Sequence, residues 1–435
     1  MIYWCHRYPA FATSVIINMN ERSLPMRASG VICEFNPFHN GHAYLLSRMR
    51  ELVGEDGCVV CVMSGRFVQR GEAAMADPYT RAQTALAGGA DLVVELPFPW
   101  SAGSAEHFAA AGVDILTRLG ADTLVFGSER GDLTLLSAAA EAIDSPAFGE
   151  IYAALCRKGM GTTAAYAEAL RKVCSTPLPE GFPDSNELLG IAYLHALRKV
   201  AATVGYAPAP HTVTRLGAGY RTDTLTEGEY PSATALRALI REAACDPVAL
   251  EAILEGTMPT DSLSALLESV RREEAPLEGR RLTEFFHAYY RLKSPADLEQ
   301  YAEWGGGIAS HVCRHAREEA TSEGFLASLR TKQYTDARLR RALLFGALGV
   351  TEADLRVMPT HTTLLAANAK GCRYLKEWCK AHKEDPTLTV VTKPADAPAG
   401  RQRELGGLSD SLFTLCFPTP RPAGDIMKRS PIIYP

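Results

Sequence analysis

The sequence lacks any excess of positive charge. Its 435 residues carry 45 Lys and Arg against 50 Asp and Glu, which gives a formal net charge of −5. A uniformly basic, nucleic-acid-coating protein is therefore excluded, although a local basic surface is not. Hydrophobic residues make up 47% of the chain and charged residues 22%, as is typical of globular proteins. A chain of this length predicts two or three domains.

A disulfide framework is also lacking. The eleven cysteines are odd in number and scattered through apolar stretches, so we expect reduced thiols and a cytoplasmic location. Cys58 and Cys61 form a C-x-x-C pair, but strand alternation in CVVCVM would turn them to opposite faces. No metal site is predicted, since His311 and His315 stand one helical turn apart with no evident third ligand.

Long hydrophobic runs are absent as well. The apolar patch FATSVIINM within residues 1–26 is shorter than a membrane span, and no basic lead or cleavage site accompanies it. We therefore predict no membrane association. Residues 1–26 are expected to form a weakly ordered extension, with Met19 and Met26 as alternative starts.

The first half of the chain alternates short apolar runs with helical patterns. Strands are predicted at residues 29–33, 58–63, 91–96, 123–126 and 212–216. Strands spaced by helices predict an α/β fold, specifically a Rossmann-like doubly wound parallel sheet with helices on both faces.

From about residue 232 helical spacing dominates, with short strands expected at 388–393 and near the C-terminus. We therefore predict an extension (1–26), a nucleotide-binding catalytic domain (27–240) and a mainly α-helical domain (241–435).

Irregular segments follow the first four predicted strands, and such segments gather at one edge of a parallel sheet. The first, EFNPFHNGH, places His39 and His42 around Gly41 where a strand gives way to a helix. An open helix N-terminus attracts anions, and histidines beside it can donate hydrogen bonds to phosphate. The alternative is that Asn40 or His42 caps the helix while His39 packs in the turn.

A second candidate anion site lies in PSATALR. Ser232 and Thr234 stand at the start of a predicted helix, and Arg237 follows one turn later. Hydroxyls, free N–H groups and a guanidinium there would form the second half of a triphosphate clamp. The alternative is an ordinary Ser/Thr N-cap with an exposed arginine. Both signatures in this order favour the clamp.

These two signatures, H-x-G-H and then Ser/Thr-x-x-Arg, resemble the nucleotidyltransferase superfamily that contains pantetheine-phosphate adenylyltransferase and the class I aminoacyl-tRNA synthetases. Further motifs in order resemble one family within it, the bacterial tRNA(Met) cytidine acetate ligases: VMSGRFVQRGEAAMADPYTRAQTAL, GADLVVELPF, SAEHFA, LVFGSE, NELLGIAYL, TRLGAGY and TKQYTDARLRRALL. The resemblance covers about residues 30–376.

The resemblance implies an enzyme that activates acetate with ATP and acetylates N4 of the wobble cytidine in elongator tRNA(Met). ATP with Mg²⁺ is the implied co-substrate, acetate and the tRNA are the partners, and no obligate protein partner is expected. His39 and His42 would stabilise the phosphates, while Ser232, Thr234 and Arg237 would contact the β- and γ-phosphates. The implied ATP-binding residues are Ile32, Cys33, Glu34, Phe35, Asn36, Pro37, Phe38, His39, Asn40, Gly41, His42, Ala43, Tyr44, Leu45, Gly127, Asn186 and Arg215.

Two of these matches have structural alternatives, Gly127 as a turn glycine and Asn186 as a helix cap. Glu187 stands where the family pattern has a second asparagine. The segment MSGRFVQRGE also brings Arg66 and Arg70 to the predicted edge, where a basic group would meet acetate or the tRNA backbone or remain solvated.

Two later segments carry a local basic excess within this acidic chain. Residues 309–345 hold seven Lys and Arg against four acids, and residues 356–383 hold six against one. The predicted tRNA contacts are Lys332, Tyr334, Arg338, Arg340 and Arg341, which would hold phosphates and offer one stacking face. The alternative is a solvated helix face.

Two other functions remain open at this point. One is an adenylyltransferase acting on a small phosphorylated metabolite, which would not need so large a helical half. The other is a non-catalytic RNA-binding protein on a nucleotide-binding fold, which the two intact phosphate signatures disfavour.

Overall fold

The computed structural model describes residues 24–215, 232–243, 246–331, 333–383 and 388–435. Most of the predicted N-terminal extension lies outside these ranges. Lys332, most of TRLGAGY and Pro231 also lie outside them.

A mostly parallel sheet forms the centre of the fold. Its strands are β1 (Ala28–Cys33), β2 (Cys58–Ser64), β3 (Leu92–Leu96), β4 (Thr123–Ser128), β5 (Ala209–Thr214), β6 (His361–Ala367), β7 (Thr389–Val391) and β8 (Ile432–Ile433). The strand order is β5-β4-β1-β2-β3-β6-β7, with β8 paired to β6. Neighbouring strands are parallel except β3 and β6, which are antiparallel.

The helices of the first half cover this sheet. They are α1 (Asn40–Val53), α2 (Pro78–Ala87), α3 (Ala105–Arg118), α4 (Leu133–Ala142), α5 (Pro146–Arg157), α6 (Thr162–Val173) and α7 (Ser185–Val204). Strands β1, β2 and β3 are buried along their whole length, as expected for a parallel sheet covered on both faces. The predicted α/β architecture is confirmed.

The second half is mainly helical, also as predicted. Its helices are α8 (Ala233–Glu242), α9 (Pro247–Leu254), α10 (Thr260–Arg271), α11 (Arg280–Arg291), α12 (Pro295–Leu298), α13 (Ile308–Glu318), α14 (Ser322–Ser328), α15 (Asp336–Leu348), α16 (Glu352–Arg356), α17 (Ala369–Ala381) and α18 (Arg401–Phe413). No helix in the described ranges is both long and apolar enough to traverse a bilayer.

Strand β6 is the main departure from the prediction. The segment HTTLLAA falls within the region predicted to be mainly helical, yet all seven residues are buried beside β3. Its register places Leu364 opposite Val94 and Ala367 opposite Leu92. Sequence periodicity does not reveal a short strand whose two faces are both covered. The sheet therefore draws strands from both predicted domains, and the short strands expected at 388–393 and near the C-terminus are confirmed as β7 and β8.

Helices α8, α9 and α10 share an apolar cluster that is separate from the main core. It includes Leu236, Ile240, Leu254 and Leu267, together with Met75 from the segment that precedes α2. This packing holds the N-terminus of α8 over the edge of the sheet where β1 and β2 end.

Candidate active site

His39 is the N-cap residue of α1, and it exchanges hydrogen bonds with His42. Nδ1 of His39 accepts from the Gly41 N–H at 3.1 Å, and Nδ1 of His42 accepts from the His39 N–H at 3.3 Å. This is a reciprocal capping box made by two imidazoles. Their ring centroids stack 3.7 Å apart. Because each Nδ1 accepts, each ring proton is assigned to Nε2, which can donate to an anion.

Both imidazoles are held in the neutral form. Burial, with a contribution from Arg215, lowers the pKa of His39 to about 3. Burial, His39 and Arg215 lower the pKa of His42 well below its ordinary value. The two rings therefore offer N–H dipoles rather than positive charges at neutral pH. Capping and phosphate binding, which the sequence left as alternatives, are compatible in this geometry.

The first turn of α1 is not open, contrary to the expectation of free N–H groups near Gly41. The Asn40 N–H donates to the Thr257 carbonyl at 2.9 Å, and the Asn40 side-chain amide donates to the Gly256 carbonyl at 2.8 Å. The Gly41 N–H is already bound to the His39 ring. The turn after α9 thus satisfies part of the helix end, which leaves the ring Nε2 atoms as the main anion donors.

Helix α8 brings the second signature to the first. The Arg237 guanidinium donates from Nη1 to the Asn36 carbonyl at 2.7 Å and from Nη2 to the Thr234 hydroxyl at 3.1 Å. Ser232 caps α8, its hydroxyl accepting from the Ala235 N–H at 3.1 Å. Two stretches about 200 residues apart are therefore joined by one arginine, as the clamp hypothesis requires.

Glu34 lies beside this arginine at the end of β1. Its Oε1 accepts from the Gln69 N–H at 3.0 Å, and burial raises the pKa of its carboxyl group, against the opposing effect of that hydrogen bond and of Arg237. Burial lowers the pKa of Arg237, while the nearby Glu72 and Glu34 oppose this shift.

The predicted adenosine-side residues also lie together. A Cβ on Gly127 would stand 3.3 Å from the Arg215 side chain, so these residues are in contact across the ends of β4 and β5. Asn186 donates from its side-chain amide to Glu129 Oε1 at 2.6 Å. The N-cap of α7 is Asp184, so Asn186 is not the cap that the sequence alternative proposed.

Glu129 is a site residue that the sequence reasoning missed. Its Oε1 accepts from Asn186, while its Oε2 is buried with no hydrogen-bond partner among the described residues. An acceptor left open beside Arg215 is suited to a ligand with donor groups. The available signal was an acidic residue directly after strand β4, in FGSE.

Glu187, the departure from the family pattern, has a structural role. It accepts from the Asp184 N–H at 2.9 Å, which completes the capping box of α7. It also pairs with the Arg130 guanidinium at 2.6 Å. The carboxylate thus fixes the start of α7 and leaves Asn186 free to contact Glu129.

Arg81, in α2, is a second residue that was missed. Its buried guanidinium donates to the Glu34 carbonyl at 2.7 Å, to the Ala76 carbonyl at 3.0 Å and to the Gly65 carbonyl. Burial lowers its pKa to about 10, so it remains charged. It ties the segments after β1 and β2 to each other. An arginine within an otherwise apolar helix face was the available signal.

The rest of the predicted ATP-binding loop is tightly packed. Phe35 and Phe38 are buried, and their rings lie 4.9 and 5.6 Å from the His42 ring. The Asn36 side chain accepts from the Met75 N–H at 2.8 Å. Ile32 and Cys33 end β1. The remaining predicted positions follow in the loop and the first turns of α1: Pro37, Asn40, Gly41, Ala43, Tyr44 and Leu45.

The predicted tRNA contacts on α15 lie next to this edge, but most are engaged within the protein. Arg340 pairs with Glu72 at 2.5 Å, and Arg341 pairs with Glu303 at 2.7 Å. Arg338 lies 3.4 Å from the same Glu303 carboxylate.

The expectation that Tyr334 offers a stacking face is wrong for this conformation. Its ring is 8% exposed and its hydroxyl donates to the Gly306 carbonyl. An aromatic residue between arginines suggests an exposed ring, but burial depends on the packing of distant elements. Lys332 lies outside the described residues.

No group of three His, Cys, Asp or Glu residues in the described ranges is arranged to hold a metal ion. Mg²⁺ usually keeps several waters and binds through substrate phosphates with one or two carboxylates. Among the described residues, this site offers the Glu34 carboxylate near the predicted phosphates. This suits a Mg²⁺ ion bound mainly through the phosphates of ATP, rather than one held by several protein ligands.

Comparisons with known proteins show which family the chain belongs to. The sequence profile of the HIGH Nucleotidyl Transferase family matches residues 26–422. The tRNA(Met) cytidine acetate ligase of Acetivibrio thermocellus is 32% identical over 426 residues, covering 94% of this chain and 100% of the relative. That of Syntrophotalea carbinolica is 34% identical over 403 residues, covering 88% and 89%.

Solved structures give the same result. The crystal structure of apo Thermotoga maritima TmcAL has a TM-score of 0.82 and 28% identity, covering 94% of this chain and all of the other. The same protein bound with alpha-thio ATP has a TM-score of 0.80. The family match over most of the chain and the curated relatives above 30% identity lead to one conclusion: this chain belongs to the tRNA(Met) cytidine acetate ligase family of HIGH nucleotidyl transferases.

Proposed function

We propose that this protein is an ATP-dependent ligase that converts acetate to acetyl-adenylate and transfers the acetyl group to N4 of the wobble cytidine in elongator tRNA(Met). The observation that carries the proposal is the contact between Arg237 and the Asn36 carbonyl. It brings the two phosphate-binding signatures into one site, as a triphosphate clamp needs. ATP is the proposed co-substrate, carried with Mg²⁺, and the proposed location is the cytoplasm.

In the first half-reaction an acetate oxygen attacks the α-phosphorus, and the bond to the pyrophosphate oxygen breaks. The Nε2–H groups of His39 and His42 donate to phosphate oxygens as negative charge develops on them. Arg237, with the hydroxyls of Ser232 and Thr234, holds the departing pyrophosphate. Positioning and charge stabilisation of this kind suffice for phosphoryl chemistry, and no covalent nucleophile is required.

The adenosine is proposed to lie over the ends of β4 and β5, against Gly127, Asn186 and Arg215. The similar Thermotoga maritima TmcAL has been crystallised bound with alpha-thio ATP, which supports ATP as the nucleotide. Among the described residues, the buried Oε2 of Glu129 has no hydrogen-bond partner, which supports a ligand with hydroxyl or amine donors on this side.

In the second half-reaction the N4 lone pair of cytidine attacks the acetyl carbon, the bond to AMP breaks, and N4 loses a proton. The products are N4-acetylcytidine and AMP. The tRNA is proposed to approach over α15, whose Arg340 is joined to the loop after β2 through Glu72. Of the arginines on α15 predicted to contact the tRNA, Arg340 is the most exposed.

The proposal is tested by incubating the protein with ATP, labelled acetate and total tRNA, then analysing the nucleosides. Labelled N4-acetylcytidine in tRNA(Met) is expected. Acetate-dependent exchange between ATP and pyrophosphate measures the first half-reaction alone. Exchange that ignores acetate but requires a phosphorylated metabolite would instead indicate an adenylyltransferase.

Two variants test the assigned site. His39→Ala and Arg237→Ala are expected to keep the fold and tRNA binding but to lose pyrophosphate exchange by at least about 100-fold. Arg48→Ala, on the exposed side of α1 where Arg48 pairs with Glu51 in the same helix, is the control. Wild-type exchange in both site variants would contradict the clamp.

A further inference from the structure

Helix α17 carries a row of positive charge on its outer face. Arg373, Lys376 and Lys380 are exposed, and their spacing of three and four residues places them on one side of the helix. At a rise of about 1.5 Å per residue they extend over about 10 Å. Among the described residues, none of the three forms an ion pair. We call these three side chains the α17 stripe.

On several other helices an exposed cation is compensated within the same helix. Cations of α1, α6, α10, α11 and α18 each pair with an acid three or four residues away. Helix α17 contains one acid, Glu377, which stands four residues after Arg373 and three before Lys380. It pairs with neither, and its Oε2 atom is buried with no hydrogen-bond partner among the described residues. The helix therefore does not neutralise its own stripe.

Within the described ranges, no acid from a neighbouring segment pairs with the stripe either. Asp122, just before β4, accepts from the Ala28 N–H at 2.7 Å. Lys383 continues the spacing of the stripe, but it precedes Glu384 and Asp385, which lie outside the described residues. We therefore leave Lys383 out of the stripe.

The inner face of α17 fixes the helix to the protein. Tyr374 and Trp378 are buried. The Tyr374 hydroxyl donates to the Leu119 carbonyl at 2.8 Å, and the Trp378 indole N–H donates to the Arg118 carbonyl at 2.8 Å. The backbone that carries the stripe is thus held in place before a ligand binds, which lowers the entropic cost of binding an extended partner.

The stripe lies away from the proposed ATP site. Strand β6 is antiparallel to β3, so it starts at the ATP edge of the sheet and ends with Ala367 opposite Leu92, the first residue of β3. Helix α17 begins two residues later. A strand of six residues such as β1 spans about 20 Å. The stripe is therefore too far from the ATP loop to contact the reacting groups.

An extended polyanion suits this arrangement better than a small anion. A small anion is held by donors that converge on one point, whereas the three cations stand in a row and face solvent. A nucleic-acid backbone carries negative charge at regular intervals along its length. The whole chain has a net charge of −5, so an uncompensated basic row is an exception on its surface.

A tRNA is long enough to reach both edges of the sheet. Helix α15, over which the tRNA is proposed to approach, packs its backbone at Arg341 against Gly71 in the loop after β2, at the ATP edge. Helix α17 follows the other end of β6. A tRNA whose anticodon loop lies at the ATP edge extends well beyond the length of one strand, so its stems can pass over α17.

We propose that the α17 stripe binds the sugar-phosphate backbone of the tRNA outside the anticodon loop, while the wobble cytidine occupies the ATP edge. The inference rests on the proposed function, from which it takes the tRNA, and it adds a second contact surface to α15. Phosphate contacts position a nucleic acid without reading its sequence. The stripe therefore supplies affinity and orientation, and it takes no part in the chemical steps.

The test neutralises the three cations together, in one variant that combines Arg373→Gln, Lys376→Gln and Lys380→Gln. Filter binding of a full-length tRNA(Met) transcript is measured at several salt concentrations. Each phosphate contact contributes about 0.7–0.9 to the slope of log affinity against log salt. The slope is expected to fall by about 2–3, and the affinity at physiological salt by at least about tenfold.

A matched control removes the same charge elsewhere. It combines Arg48→Gln, Arg271→Gln and Arg272→Gln, which replace exposed arginines that pair with acids of their own helices. Its tRNA affinity and salt slope are expected to stay at the wild-type values. Acetate-dependent pyrophosphate exchange is expected to be unchanged in both variants, because neither set of side chains contacts the proposed ATP site.

Steady-state acetyl transfer gives a second readout. In the stripe variant the KM for tRNA is expected to rise by at least about tenfold, while kcat at saturating tRNA stays at the wild-type value. Unchanged tRNA affinity and salt slope would overturn the proposal and indicate a solvated helix face. Equal losses in the control variant, or a reduced kcat, would also overturn it. Absence of acetate-dependent exchange in the wild type would instead overturn the proposed function, and the binding measurement, which needs neither acetate nor ATP, would still decide the role of the stripe.

Discussion

Removing the buried guanidinium in Arg81→Met should destabilise the whole edge of the sheet. Arg81 is 2% exposed and donates to the carbonyls of Glu34, Ala76 and Gly65. Methionine fills a similar volume, so the change removes mainly the three charged hydrogen bonds.

The expected magnitude follows from these contacts. Three hydrogen bonds from a charged donor contribute on the order of 1.5–3 kcal/mol each. Methionine avoids the cost of burying a cation, which stabilises the variant by several kcal/mol. The three carbonyls lose their hydrogen-bond donor, which destabilises it. The net loss in the free energy of unfolding is expected to be about 3–5 kcal/mol.

Urea denaturation followed by circular dichroism measures this difference. The control is Arg48→Met, whose guanidinium is half exposed and pairs with Glu51 in the same helix, and which should change stability by less than about 0.5 kcal/mol. At a temperature where Arg81→Met is still folded, pyrophosphate exchange should fall as well, since the segments carrying Glu34 and Gly65 are no longer tied. A loss below about 1 kcal/mol would refute the view that Arg81 organises this edge.

Three further outcomes are expected. Burial lowers the pKa of His39 to about 3. The neutral imidazole therefore stabilises the fold fully above pH 6.5, and this contribution is lost as the pH falls towards 3. Urea titrations at several pH values should show that the free energy of unfolding of His39→Gln changes with pH less steeply than that of the wild type, by about 1.4 kcal/mol per pH unit between pH 6 and 4. Glu129→Ala removes the acceptor of the Asn186 amide and should weaken ATP binding about tenfold in calorimetry, with tRNA affinity unchanged; equal losses for both ligands would contradict the adenosine-side assignment. Gly407→Ala, in the interior of α18 with open space at its Cβ, should raise the free energy of unfolding by about 0.5–1 kcal/mol, and a destabilised variant would show that Gly407 is needed for its backbone.

The sequence was sufficient to predict the central strands and to locate the two segments proposed to bind ATP. Strands β1 to β4 are mostly apolar runs between helices. A strand buried on both faces can be recognised from the sequence alone, because its residues do not alternate between apolar and polar. The H-x-G-H and SATALR motifs were equally visible, because the residue types that bind phosphate are few and their spacing within a turn of helix is local.

The sequence did not reveal the contacts that cross between distant segments. Strand β6 was missed because a short buried run can belong to a strand or a helix. The exposure of Tyr334 was predicted wrongly because its burial depends on the loop at Gly306. Glu129 and Arg81 were missed because their roles come from Asn186 and from three carbonyls, which lie far apart in the chain or in separate loops.

By itself, then, the sequence determined the α/β class of the first half, the helical character of the second and the positions of the two motifs proposed to bind phosphate, since each of these depends on local spacing. Only the tertiary structure decided that Arg237 reaches the Asn36 carbonyl and that the turn after α9 occupies the first amide of α1. The physical reason is that hydrogen bonds and burial act over a few ångströms in space, and the chain brings residues hundreds of positions apart within that distance only when it folds.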